Sequence, residues 1–98
     1  MKRYYADYVA HCLKFYALHQ NATTWRSRVD EMNWKAVDRA LDRMPEEDAG
    51  YLLDIYATPA DVGEAVRIVA EASEVSPKYL WSVVKRAESW IARERGLI

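Results

Sequence analysis

Residues 58–91, TPADVGEAVRIVAEASEVSPKYLWSVVKRAESWI, contain two helix start signals separated by one helix's length of chain. At Thr58-Pro59-Ala60-Asp61, a hydroxyl that can cap, a proline suited to the first helical position and a nearby acid together predict that a helix opens. Val62, Val66, Val69 and Ala70 fall on its buried side. Ser76-Pro77 repeats the hydroxyl-proline signal soon after Ala72, so this helix and the next are expected to be joined by a turn of roughly four residues. The helix that follows places Leu80, Val83, Val84, Ala87, Trp90 and Ile91 on one face. Lys78, Trp81, Ser82, Lys85 and Ser89 lie on the other.

Upstream, Pro45 followed by Glu46, Glu47 and Asp48 marks another start, because proline fits the first helical position and acids suit the positive end of the helix dipole. Tyr51, Leu52, Ile55 and Tyr56 supply that helix's buried side. Before it, Val29, Met32, Ala36, Val37, Ala40, Leu41 and Met44 form a stripe opposite Glu31, Lys35, Asp38 and Asp42, which predicts a helix from Ser27 to Met44. A polar break at Asn21 to Thr24 separates it from a first amphipathic helix over Lys2 to Gln20. There Tyr5, Tyr8, Val9, Cys12, Leu13 and Tyr16 share a face opposite Arg3, Asp7, His11 and Lys14. The expected fold class is all-α, with about five helices in a single domain. An N-terminal helical pair over 1–44 precedes a portion, 45–98, that reads as a helix-turn-helix.

Composition supports that reading. Hydrophobic residues make up 51% of the chain and charged residues 30%, the balance of a packed globule and not of a disordered segment. Three glycines and three prolines are too few for the many tight turns of an all-β fold. No apolar stretch approaches the roughly 20 residues of a membrane span, and Asp7, His11 and Lys14 interrupt any signal-peptide core after Lys2 and Arg3. With the single cysteine Cys12 unable to form an internal disulfide, a reducing, cytoplasmic setting is expected.

Nothing in the chain has the form of a catalytic or cofactor motif. There is no Gly-rich phosphate loop, no nucleophile with a matching His and acid, and no inward carboxylate pair, so an enzyme is not expected. His11 and Cys12 are neighbours that point apart on a helix, and with His19 they lack metal-ligand spacing. No metal and no cofactor are expected.

Net charge is −1, but its distribution is uneven. Met1 to Asp30 holds five basic and two acidic residues, Glu31 to Ser76 four and eleven, and Pro77 to Ile98 five and two. A short helix, a tight turn and a second, capped helix carrying basic residues is the sequence form of a helix-turn-helix, so double-stranded DNA is the expected partner. Lys78, Trp81, Ser82 and Lys85 are candidates to face the groove, with Ser76, Arg86 and Arg93 holding phosphates. The same outer face also reads as plain solvated surface, and Trp81 as a side chain packed on the first two helices. The alternative function is a helical protein–protein interaction or adaptor module, or a homodimer, without DNA contact; the net charge favours it and the basic C-terminal segment opposes it.

Met44-Pro45-Glu46-Glu47-Asp48 through Tyr56, Val69-Ala70-Glu71, Val75-Ser76, Leu80 and Lys85-Arg86-Ala87 together resemble region 4 of the sigma-70 class. The likeness is to its small phage and mobile-element relatives that act as transcriptional regulators. In that family a Leu-Pro-Glu start opens the first helix, a Val-Ser pair ends the turn and an Arg-Ala pair closes the recognition helix. The resemblance covers Met44 to Leu97 and implies DNA binding in transcription regulation, with RNA polymerase as a second partner. Two departures stand out. Glu74 occupies the position where the family carries Gly before Val-Ser, so either the turn differs or it tolerates strain. The outer face of the last helix is also less basic than in many members.

Overall fold

The computed structural model describes residues 5–98, and among these it contains five helices and no strand. They are α1 (Ala6–Leu18), α2 (Arg28–Asp42), α3 (Glu46–Ala57), α4 (Val62–Ser73) and α5 (Pro77–Glu94). The all-α expectation therefore holds, with corrections at the boundaries. The expected first helix includes residues 2–4, which lie outside the described residues, and its far end stops at Leu18, where Gln20 was expected.

Three of the helices, α2, α4 and α5, begin where a side chain satisfies a free amide. Ser27 caps α2 by accepting from Asp30 N at 3.2 Å. Pro45 lies just outside α3 in an extended conformation, one residue before the place expected for it. The largest revision is at α4. Thr58 does not open it; its hydroxyl donates back to Asp54 O at 2.7 Å and closes the end of α3. Asp61 is the cap instead, its carboxylate accepting from Glu64 N at 2.9 Å. A threonine and an aspartate three residues apart offer two competing starts, and the aspartate, with an acceptor suited to orphan amides, wins.

The buried residues form one cluster to which all five helices contribute. Val9, Cys12 and Leu13 of α1, Val37 of α2, Leu52 and Ile55 of α3, Val66 of α4 and Leu80, Val83 and Ile91 of α5 are essentially inaccessible. Complete burial of a single Leu or Ile side chain is worth about 1.5–3 kcal/mol, so this cluster is the principal adhesive. Burial pushes the Cys12 thiol up to about 11. Helix α1 packs against α2, α3 and α5, and α5 touches every other helix. Polar ties supplement the apolar ones: Tyr16 donates to Asp38 at 2.7 Å, and the Trp34 indole donates to His19 O at 2.9 Å.

The α2 stripe is narrower than expected, because Val29 and Met32 are 53% and 42% exposed. They fall in the first turns of α2, where no neighbouring helix covers that side. Tyr8 is likewise at the surface, although its hydroxyl reaches Asn33 at 3.1 Å. Trp90 is half-buried against the core.

Candidate nucleic-acid interface

The C-terminal end of α4, the turn and α5 set the geometry of the expected site. The turn consists of Glu74, Val75 and Ser76. Glu74 adopts the left-handed conformation, φ 56° and ψ 42°, and is the one non-glycine described residue with positive φ. Its placement allows Val75 N to donate to Ala70 O at 3.0 Å, the six-residue closure that ends many helices, and Val75 packs on the core. Glycine would normally occupy such a position; here a glutamate bears the strain.

Ser76 starts α5 by accepting from Lys78 N at 3.2 Å, and Pro77 takes the first helical position. The cap uses an acceptor lone pair of the hydroxyl and leaves its proton free to donate. Beyond it, Lys78, Trp81, Ser82 and Lys85 all project outward from the core. At 3.6 residues per turn they lie within an arc of about 100°. Trp81 is 37% exposed, so part of its ring is open to solvent. Ser82 donates its hydroxyl to Tyr79 O, which leaves it only an acceptor to offer. Neither Lys78 nor Lys85 has an ion pair among the described residues.

Arg86 is placed differently from the expectation of a free phosphate contact. Its guanidinium lies 3.2 Å from Asp48 of α3, a carboxylate that is 3% exposed and also accepts from the Tyr79 hydroxyl. Asp48 holds the Tyr79 proton in place and raises that phenol above its usual range. Arg86 therefore ties α5 to α3. Asp48, in turn, does more than complement a dipole: it sits four residues before Leu52, on the stripe that faces the core. That spacing, together with Tyr79 and Arg86 seven residues apart on one side of α5, is the signal that could have revealed the cluster. Arg93 is exposed near the end of α5 and has no ion pair among the described residues.

The structure thus brings Ser76, Lys78, Trp81, Ser82 and Lys85 onto one surface, continues it toward Arg93, and diverts Arg86 into a tertiary contact. No group of three or more His, Cys, Asp or Glu that could hold a metal ion occurs among the described residues. None of the helices is long and apolar enough to cross a membrane, judged on the same residues. Comparison with protein-family models, curated proteins and solved structures gave no match.

Proposed function

We propose that the chain is a double-stranded DNA-binding transcriptional regulator in which α4 and α5 act as a helix-turn-helix and α5 enters the major groove. One observation carries the reading: Lys78, Trp81, Ser82 and Lys85 form an outward arc on a helix whose opposite face is locked into the core. Such a helix presents its side chains from a backbone that need not order on binding. The lysines suit phosphates and guanine edges, Ser82 offers an acceptor, and Trp81 offers an apolar surface for a thymine methyl. Ser76, at the positive end of α5, suits a phosphate. The likeness to sigma region 4 points the same way and supplies RNA polymerase as a second partner.

The adaptor reading has one specific observation in its favour. Arg86 is engaged by Asp48, which removes a cation from the face that DNA would meet, while Tyr79 and Trp81 stay exposed beside it.

Lys85→Glu separates the two. Lys85 supports no buried contact, so helicity and melting temperature should stay at wild-type values. Affinity for duplex DNA, measured by fluorescence anisotropy on fragments upstream of the chain's own gene and on unrelated sequence, should fall roughly tenfold or more, and the loss should shrink as salt rises. Lys14→Glu on α1 carries the same charge change away from the arc and should have little effect. Equal losses from both, or no duplex binding by wild type at low salt, would move the assignment to the adaptor.

A further inference from the structure

Five of the basic residues outside the α5 arc are gathered in one place. An open cleft of about 460 Å³ lies between α2 and the C-terminal end of α5. Arg28, Lys35 and Arg39 line it from α2, and Arg93 and Arg95 from the other side, against two carboxylates, Glu31 and Glu94. Both carboxylates are occupied. Glu31 is held by Lys35 at 2.7 Å, and Glu94 by Arg39 at 3.7 Å and by Arg43 at 3.0 Å.

The other cations in the cleft, Arg28, Arg93 and Arg95, form no ion pair among the described residues, Arg28 acting on Glu31 only at longer range. Arg95 is positioned by neutral groups: its Nε donates to Asn33 Oδ1 at 2.6 Å, and its guanidinium meets the Tyr8 hydroxyl at 3.3 Å and lies 5.8 Å from the centre of that ring. The helix dipole gives Arg93 a reason to sit in the last turn of α5. It gives none to Arg28, which is the first residue of α2, at the end where a cation is disfavoured.

We infer that this cleft is a second phosphate-binding site, which grips the DNA backbone beyond the end of the groove-facing helix. The inference rests on the DNA-binding reading above. Arg93 joins the two surfaces, because it lines this cleft and also the shallow hollow formed with Lys85, Arg86, Ser89 and Trp90 on α5. Positive surface therefore runs from the α5 arc onto α2. A recognition helix meets base edges mainly through its N-terminal residues, so its far end lies at the groove's margin, where phosphates are the available partners. From Lys78 to Arg95 the rise is about 25 Å at 1.5 Å per residue, the length of about seven base pairs. Guanidinium groups match phosphate oxygens in pairs, and the cleft offers three of them that form no ion pair among the described residues. In this arrangement Asn33 and Tyr8 are positioning residues for Arg95, and α2 belongs to the DNA footprint.

Anisotropy with a labelled duplex, titrated at a series of salt concentrations, tests the inference on the full chain. Arg28 is exposed, so Arg28→Ala and Arg28→Glu should keep the wild-type circular dichroism and melting temperature. Arg28→Ala should weaken binding about equally for every duplex sequence and reduce the slope of log affinity against log salt by about one. Arg28→Glu should weaken it further, and Lys14→Glu should change neither quantity. If Arg28→Glu binds with wild-type affinity and slope while Lys85→Glu does not, the cleft takes no phosphate and the α5 reading survives alone. If wild type binds no duplex at low salt, both readings are lost.

Discussion

Glu74 carries a strain that its neighbours impose. Its left-handed backbone is required so that Val75 can close α4 and Ser76 can open α5 three residues later. A side chain with a Cβ costs about 1 kcal/mol or more in that conformation, and Gly is free of the penalty but loses more entropy on folding. Because Glu74 is exposed and makes no tertiary contact that Gly would lose, Glu74→Gly should stabilise the chain by about 0.5–1 kcal/mol. A thermal melt rising by a few degrees would register this, and a fall would show that the charge itself matters there. Arg86 carries the opposite sensitivity. Removing it leaves Asp48 buried with the Tyr79 hydroxyl as its remaining partner, at a cost of about 1–3 kcal/mol. Arg86→Ala should therefore lower the urea midpoint, whereas Lys85→Ala one residue earlier should not. Equal midpoints for the two would show that the Asp48 contact is dispensable.

At the scale of elements, amphipathic spacing located all five helices, because each buries a stripe and a stripe is a local property of sequence. The start of α5 at Ser76-Pro77 was equally legible, since capping involves residues within one turn of each other. The start of α4 was not, because Thr58 could cap forwards or backwards and only the position of α3 decides which. Val29 and Met32 misled for a related reason: the apolar stripe of α2 continues past the point where another helix is present to cover it. Within the candidate site, spacing identified the exposed residues Lys78, Trp81, Ser82 and Lys85. The partner of Arg86 was harder to see, because Asp48 lies 38 residues away and belongs to a run of acids whose other members face solvent, which leaves its place on the α3 stripe as the one clue. The cleft between α2 and α5 was hidden for the same reason, as Arg28 and Arg95 come together only when the two helices pack.

On the scale of the whole molecule, the helices on either side of residue 45 share one buried cluster. Helix α5 buries Leu80, Val83 and Ile91 in the same cluster that holds Val9 and Leu13 of α1 and Val37 of α2. A chain of residues 45–98 alone would expose that side of α3 and α5 and lose the burial that stabilises them. It should show little helicity by circular dichroism at 25 °C, while the full chain unfolds in one transition by both far-ultraviolet and tryptophan signals. A fragment as helical as the intact protein would show that α1 and α2 are accessories. Cys12 offers a way to time the opening of this shared core. It has no solvent-accessible surface and its thiol is held up to about 11, against 9.0 in an open chain. Burial therefore favours the protonated thiol, a contribution to stability present below pH 9 and lost as pH rises through about 11. A maleimide or disulfide reagent at neutral pH can reach it only when the packing of α1 against its neighbours comes apart. Its labelling should run at least about a thousandfold slower than that of the urea-unfolded chain, in step with a stability of at least about 5 kcal/mol. A lone thiol in the core of the bundle thus serves as a stopwatch on the native ensemble, counting how often the protein opens without any denaturant being added.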